Sequence, residues 1–312
     1  MLLARSIRAF RLVPRTGSRG TPCEKTFHSG TVAFMGSGES VNGGGGMDGA
    51  EQTHFGFRDV PKSEKEDLVK GVFNSVADKY DVMNDLMSGT LHRFWKDEFV
   101  ASLHPMPSMN IIDVAGGTGD VAFRMHENMR RLARRSMLEK TGTADVGGKI
   151  HVCDINVEML RVGADRAEER GYGTDAIEFV EGNAQDLHQF EDNSFDAYTI
   201  AFGIRNVTDV NLALREAHRV LRKGGRFMCL EFSRVENDVL RQAYDTYSFN
   251  VIPKIGELVT DDRDSYEYLV ESIRKFPDQE TFEGMIRDAG FSHVSHKNFT
   301  NGVVAMHTGF KL

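Results

Sequence analysis

Short apolar runs and amphipathic stretches alternate along the chain from about residue 109. The apolar runs lie at 111–115, 149–154, 177–180, 195–202 and 227–232. Their length is typical of buried strands, and apolar residues recur at helical spacing between them. This alternation predicts a parallel sheet with helices on both faces.

Helix termini are predicted from capping residues. Asn156 opens one helix after the second strand, and Thr208 or Asp209 caps another, which Gly224-Gly225 is expected to end in a left-handed cap. Ahead of the sheet, Ser63-x-x-Glu66 has the spacing of a capping box. Apolar residues follow it at helical spacing, so an additional N-terminal helix is expected.

A glycine-rich turn follows the first strand of the alternation. Residues 111–119 read Ile-Ile-Asp-Val-Ala-Gly-Gly-Thr-Gly. Glycines let the main chain pass close to a ligand, and open α/β sheets bind ligands at this edge. Gly116, Gly117, Thr118 and Gly119 are therefore predicted to bind a nucleotide cofactor, with Asp113 either structural or facing an amine. Dehydrogenases, phosphate binders and plain tight turns share this pattern.

Polar residues also follow the next strands. Asp154 ends the second strand, where an acid meets a ribose, although it could instead cap the following helix. Asn183 and Ala184 follow the third strand and are predicted at an adenine edge, or form only a turn. Ala201, at the end of the fourth strand, is expected to face the same cofactor.

The end of the chain breaks the alternation. Residues 291–298 and 303–308 are predicted as strands joined by Thr300-Asn301-Gly302, an Asn-Gly hairpin signal. A sheet finished by an antiparallel hairpin is unlike an NAD-dependent oxidoreductase. The predicted fold is α/β, with a seven-stranded, mostly parallel, Rossmann-like sheet. This is the architecture of class I S-adenosylmethionine-dependent methyltransferases.

Composition and charge narrow the function further. The net charge of -8 over 312 residues argues against a nucleic-acid partner, and three cysteines without a CxxC pair suggest no metal site. Residues 1–23 contain five arginines and no acid, and a run of four glycines follows at 43–46. We expect a mitochondrial presequence and flexible linker at 1–47, and a methyltransferase domain with an N-terminal helical lid at 54–312.

Two segments carry a family resemblance. Residues 80–95 match the pattern Y-D-x-M-N-x-x-[apolar]-S-x3-H-x2-W at Tyr80, Asp81, Met83, Asn84, Ser88, His92 and Trp95. Residues 219–233 match R-V-[apolar]-K-P-G-G…E-x-S, except at Arg222 and Lys223. The chain from Phe55 to Leu312 thus resembles the UbiE-type ubiquinone/menaquinone C-methyltransferases, which also have alanine at the position of Ala115.

The resemblance implies S-adenosylmethionine-dependent C-methylation of a polyprenyl methoxy-benzoquinol. Arg205 is the candidate for stabilising a quinol oxyanion, with Asn206 orienting a hydroxyl or water and Tyr80 bonding the quinol from the lid. Arg205 could instead be a salt-bridging loop residue. Asp81 or His92 could relay a proton. A set of apolar and aromatic residues is predicted to line a groove for the tail or to pack between helices: Tyr244, Tyr247, Phe249, Val251 and Ile252.

With the presequence, the resemblance implies the matrix side of the mitochondrial inner membrane. The expected partners are the polyprenyl benzoquinol and other coenzyme Q biosynthesis proteins in a multi-subunit complex. Peripheral membrane association and a homodimer are also implied. The alternatives are a menaquinone-type methyltransferase and a non-catalytic scaffold that binds S-adenosylmethionine.

Overall fold

The computed structural model describes residues 51–76, 84–85, 88–139, 146–260 and 262–312. The predicted presequence and linker at 1–47, together with Tyr80 and Asp81, lie outside these residues. The described helices and strands, in chain order, are β1 (Gln52–Phe55), β2 (Arg58–Pro61), α1 (Lys62–Val76), α2 (Leu91–Leu103), β3 (Ile111–Val114), α3 (Asp120–Glu139), β4 (Ile150–Asp154), α4 (Val157–Glu169), β5 (Ile177–Glu181), β6 (Phe195–Ala201), α5 (Val210–Val220), β7 (Leu221–Phe232), α6 (Asp238–Asn250), α7 (Ile252–Thr260), α8 (Arg263–Lys275), α9 (Gln279–Asp288), β8 (Ser292–Phe299) and β9 (Val304–Phe310).

Seven strands form the central sheet, in the order β5-β4-β3-β6-β7-β9-β8. The first five of these pair in parallel, and β9 runs antiparallel to both β7 and β8. The predicted seven-stranded, mostly parallel sheet with a C-terminal antiparallel hairpin is confirmed. β1 and β2 form a separate hairpin that the sequence did not reveal.

Helices cover both faces of the sheet, as predicted. One core layer packs side chains of α2, α3 and α4, such as Phe99, Met125 and Leu160, on the sheet. The other packs α5 and α9 through Leu214 and Phe282. All four residues of β3 are buried because this strand has layers on both faces, which explains its continuous apolar run. None of the described helices combines the length and the hydropathy required to span a bilayer.

The predicted caps have mixed outcomes. Asn156 accepts a hydrogen bond from Met159 N at 3.1 Å, and Asp209 accepts one from Leu212 N at 3.1 Å, so both helix starts are confirmed. The predicted cap at Gly224-Gly225 is wrong. The helix ends at Val220, and the glycines lie inside β7, where Gly224 has φ of +80° beside a shift in the β6–β7 register.

The capping box at Ser63 is also wrong. α1 begins at Lys62, so Ser63 lies inside the helix. The Glu66 carboxylate instead accepts hydrogen bonds from Lys70 Nζ at 3.0 Å and from Asn183 Nδ2 at 3.1 Å. Glu66 therefore connects α1 to the loop after β5.

Phe179 on β5 packs between two glycines. A Cβ on Gly163 of α4 would lie 2.4 Å from Phe179 Cε1, and one on Gly119 would lie 3.0 Å from Phe179 Cζ. Gly163 thus permits close packing of α4 on the sheet, and Gly119 leaves room for the same ring beneath the glycine-rich turn.

Gly163→Ala is expected to lower the free energy of unfolding by about 1–3 kcal/mol, because the overpacking against Phe179 outweighs the gain in helix propensity. Gly284→Ala on α9 is the matched control, since its Cβ would meet nothing within 4 Å. That variant should be more stable by about 0.5–1 kcal/mol. Urea denaturation of both variants tests this packing, and equal effects would contradict it.

Candidate functional site

Two adjoining cavities lie at the carboxyl edge of the parallel strands. The first has a volume of about 130 Å³ and the second about 360 Å³. Phe73, Lys96 and Phe202 line both. The first cavity collects most of the predicted cofactor residues together with Asn206: Asp113, Gly116, Gly117, Thr118, Asp154, Asn183, Ala184 and Ala201.

Asp154 holds the glycine-rich turn in place. Its Oδ2 accepts a hydrogen bond from Gly117 N at 2.8 Å, and its Oδ1 accepts one from Asn156 N at 2.8 Å. Asn156 caps α4, so the alternative that Asp154 caps this helix is wrong. Burial raises the pKa of Asp154, and its two oxygens retain further lone pairs for a ligand in the first cavity.

The turn itself is tightly packed. Ala115 has φ of +51°, in the region that favours glycine. A Cβ on Gly203, just after β6, would lie 2.4 Å from the Ala115 Cβ. The loop after β6 therefore approaches the turn only because residue 203 lacks a side chain. Gly119 faces Phe179 and is not among the residues that line the first cavity, unlike its predicted partners.

Asp113 carries an uncompensated acceptor at the first cavity. Its Oδ1 accepts a hydrogen bond from Thr199 Oγ1 at 2.7 Å, whereas its buried Oδ2 has no hydrogen-bond partner in the described part of the chain. Burial raises the pKa of Asp113 to about 7. A cationic group of a ligand would satisfy this oxygen and favour the ionised form.

The Asn183 side chain stabilises the loop after β5. Its Oδ1 accepts hydrogen bonds from Gln185 N at 2.9 Å and Gln185 Nε2 at 3.1 Å. Its Nδ2 donates to Glu66 on α1. The turn that the sequence offered as an alternative is thus present, and the same residue also lines the first cavity with Ala184.

Lys96 on α2 is a site residue that the sequence did not reveal. Its Nζ lies 2.9 Å from Asp120 Oδ2, and the Lys96 side chain is largely buried. It directly follows Trp95 in the motif at 80–95, which is the signal that pointed to this segment. Four residues of α1 were also missed as lining residues of the first cavity: Glu66, Val69, Lys70 and Phe73.

Aromatic rings form one side of the second cavity. The ring centroid of Phe202 lies 5.0 Å from that of Phe232, and the centroid of Trp95 lies 6.4 Å from each. Trp95 Nε1 donates to Thr300 Oγ1 at 3.1 Å in the turn of the C-terminal hairpin. The hairpin therefore fixes the orientation of an indole that lines the cavity.

Arg205 lines the second cavity and forms a buried ion pair. Its Nη1 donates to Glu231 Oε1 at 2.8 Å and to Phe202 O at 2.6 Å, and its guanidinium lies 5.5 Å from the centre of the Phe232 ring. The side chains of Arg205 and Glu231 are 4% and 1% exposed, respectively. Both the salt bridge and a position at the second cavity are thus observed, and Glu231 offsets much of the positive charge of Arg205.

Asn206 and Arg205 are adjacent in sequence but line different cavities. Asn206 lines the first cavity, and its Oδ1 accepts a hydrogen bond from Tyr268 Oη at 3.0 Å. Tyr268 lines the second cavity, and burial raises its pKa to about 12. The hydrogen bond therefore links the walls of the two cavities.

The residues predicted to line a groove divide into two groups. Tyr244, Tyr247 and Ile252 line the second cavity. Phe249 and Val251 are instead 42% and 38% exposed and are not among its lining residues. α8 contributes further lining residues, including Tyr266 and Leu269.

Sequence comparison identifies the family. The sequence profile of the ubiE/COQ5 methyltransferase family matches residues 61–311. The chain belongs to this family. Membership confirms the predicted family and methyltransferase activity, with S-adenosylmethionine as the methyl donor.

Relatives align over most of the chain. The mitochondrial 2-methoxy-6-polyprenyl-1,4-benzoquinol methylase of Oryza sativa subsp. japonica is 53% identical, covering 83% of this chain and 88% of the relative. The protein of the same name in Dictyostelium discoideum is 50% identical, with 86% and 88% covered. The ubiquinone/menaquinone biosynthesis C-methyltransferase UbiE of Brucella abortus (strain S19) is 52% identical, with 91% and 98% covered.

In this methyltransferase, Glu231→Gln should lower the free energy of unfolding by about 3–5 kcal/mol, because it leaves the Arg205 charge buried without its partner. The double variant Glu231→Gln/Arg205→Met should recover part of that loss. Asp165→Asn, at an ion pair whose carboxylate is 63% exposed, serves as the control and should change stability by less than about 0.5 kcal/mol. Chemical denaturation measures all three, and a single-variant cost as small as the control's would contradict the assignment.

Proposed function

We propose that this protein methylates a ring carbon of a polyprenyl methoxy-benzoquinol in ubiquinone biosynthesis. The observation that carries the proposal is the junction of the two cavities. A polar cavity with buried carboxylates meets an apolar, aromatic-lined one at Phe73, Lys96 and Phe202. A cofactor and a hydrophobic quinol could thus meet without solvent between them. The names of the rice and Dictyostelium relatives support this substrate.

The first cavity fits the cofactor. When bound, S-adenosylmethionine supplies an electrophilic methyl group on a sulfonium. The buried Oδ2 of Asp113 would bind its ammonium, and the free lone pairs of Asp154 would accept ribose hydroxyls. The Asn183–Ala184 loop would contact the adenine, and Gly116–Thr118 and Ala201 would lie along the methionine portion.

The second cavity fits the quinol. Trp95, Phe202 and Phe232 offer aromatic surfaces for the ring, and Tyr244 and Ile252 extend the apolar lining toward a prenyl tail. Arg205 would donate to a quinol oxygen, with Glu231 keeping the guanidinium in position. Asn206, which lines the first cavity and accepts a hydrogen bond from Tyr268 of the second, would orient a hydroxyl or water, and Tyr80 would hydrogen-bond to the quinol.

Exposed apolar side chains and the relatives' names support a location at a mitochondrial membrane. The names of mitochondrial relatives at about 50% identity support a mitochondrial location. Val239, Leu240 and Leu258 on α6 and α7 are 76%, 45% and 85% exposed. We assign these side chains to peripheral contact with the matrix side of the inner membrane, from which the prenyl tail would enter the second cavity. We also propose that the protein assembles with other coenzyme Q biosynthesis proteins and forms a homodimer.

Methyl transfer is tested with purified protein, labelled S-adenosylmethionine and a short-chain demethyl methoxy-benzoquinol kept reduced. One labelled methyl should appear on the ring for each cofactor consumed. A demethyl menaquinol should react more slowly than the benzoquinol. Cofactor binding without turnover on either quinol would favour the scaffold alternative, and the reverse substrate preference would favour the menaquinone-type enzyme.

Asp113→Asn should weaken S-adenosylmethionine binding about 10- to 100-fold, because a charge-assisted hydrogen bond to a buried carboxylate is lost. Since the pKa of Asp113 is raised to about 7, the carboxyl is increasingly protonated below that pH. Wild-type affinity should therefore fall as pH falls below about 7, and the variant should lack this dependence.

Isothermal titration at several pH values measures both effects. Asp165→Asn, an exposed acid on α4, is the control and should bind like the wild type. Unchanged affinity in Asp113→Asn would remove Asp113 from the proposed cofactor site.

A further inference from the structure

His92 on α2 lines the second cavity and is only 7% exposed. Its Nε2 lies 2.8 Å from Asp85 Oδ1. Its other ring nitrogen, Nδ1, is buried and has no hydrogen-bond partner in the described part of the chain. A buried imidazole nitrogen without a partner is unfavourable, so a hydroxyl of a ligand in the second cavity would stabilise His92 by donating to Nδ1.

Asp85 determines which nitrogen is available. Its carboxylate also accepts hydrogen bonds from Arg93, which with His92 lowers the pKa of Asp85 to about 2. Asp85 is therefore ionised at neutral pH and accepts a proton only in a hydrogen bond from Nε2. The neutral imidazole thus carries its hydrogen on Nε2 and presents Nδ1 as an acceptor.

The surroundings keep this imidazole neutral. Burial is the largest effect on the pKa of His92 and lowers it, and Lys96 on the same helix acts in the same direction. Asp85 and, from α3, Asp120 oppose the shift. Arg205 lines the same cavity from the loop after β6, as do the phenols of Tyr244, Tyr247, Tyr266 and Tyr268.

We infer that His92 is the proton acceptor of the reaction, taking the quinol hydroxyl proton at Nδ1 while Asp85 holds Nε2. The inference rests on the proposed function, since it requires a quinol in the second cavity. The guanidinium of Arg205 has no acceptor atom, and its partner Glu231 accepts from Arg205 and from Phe232 N at 2.9 Å and is not among the residues that line the second cavity. His92 is thus the base best suited to this role among the described residues that line the cavity.

The proton and electron balance is simple. As the O–H proton moves to Nδ1, the oxygen electron pair enters the ring, and the ring carbon bonds to the methyl carbon while the carbon–sulfur pair stays on sulfur. The methylated carbon then gives its hydrogen as a proton to water, so that the C–H electron pair restores the aromatic ring and the carbonyl pair returns to the oxygen. The imidazolium returns its proton to the oxygen, so one proton is released per methyl transferred.

The test is the pH profile of kcat at saturating S-adenosylmethionine, which removes the effect of Asp113 on cofactor binding. The wild-type kcat should fall on the acid side, below the ordinary histidine pKa of 6.5, because a protonated base is inactive. His92→Gln should lower kcat by about 10²- to 10⁴-fold and remove this acid limb. Its remaining rate should rise toward alkaline pH as the free quinol ionises.

Asp85→Asn is the second variant. Because Asp85 raises the pKa of His92, Asp85→Asn should shift the acid limb of the kcat profile to lower pH. Asp85→Asn retains the base itself, so it should lower kcat less than His92→Gln does. A merely structural role would lower kcat without moving the limb. His188→Asn is the matched control, since His188 and Asp186 form another histidine–aspartate pair, 78% and 69% exposed. It should leave kcat and the limb unchanged.

Folding is checked by thermal unfolding and by the Kd of each variant for S-adenosylmethionine. If His92→Gln retains the wild-type acid limb, or Asp85→Asn lowers kcat without shifting it, His92 is not the proton acceptor although the proposed function stands. If the wild type transfers no methyl group to either quinol, the proposed function fails and this inference fails with it.

Discussion

The reversal of the strand order between the parallel neighbours β3 and β6 is the constraint on which the site depends. The chain lays β4 and β5 on one side of β3 and β6 and β7 on the other, so the loops after β3 and β6 diverge and open a crevice. Gly203 lets the two loops touch at Ala115 before they part. Asp154 then holds the β3 turn from the neighbouring strand. The first cavity follows from this arrangement.

The second cavity depends on elements added to the sheet. α2 supplies His92, Trp95 and Lys96, and the helices between β7 and β8 supply an apolar wall. The hydrogen bond from Trp95 to Thr300 fixes α2 to the turn of the terminal hairpin. The sheet therefore positions the first cavity, while elements outside the parallel strands enclose the neighbouring apolar space. Lys96 lines both cavities and therefore lies where the two cavities adjoin.

The sequence predicted the repetitive parts of this structure best. Strand runs and the caps at Asn156 and Asp209 depend on local chemistry, and they were predicted correctly. The cap at Gly224 was not, because its left-handed φ serves a shift in strand pairing that only the folded sheet defines. Likewise, no local pattern reveals that Gly119 faces Phe179 or that Glu231, 26 residues from Arg205, is its partner. Pairings between distant residues arise from tertiary packing.

The charges around the cavities favour a cation. Each lysine and arginine among the described lining residues has a carboxylate partner: Lys70 with Glu66, Lys96 with Asp120, and Arg205 with Glu231. Asp113 and Asp154 line the first cavity without an ion-pair partner in the described part of the chain, and burial raises the pKa of both. In the proposed complex, a sulfonium and an ammonium in this space would relieve the cost of those buried carboxylates. The cofactor would then supply the positive charge that the protein omits, and its sulfonium charge disappears once the methyl group is transferred.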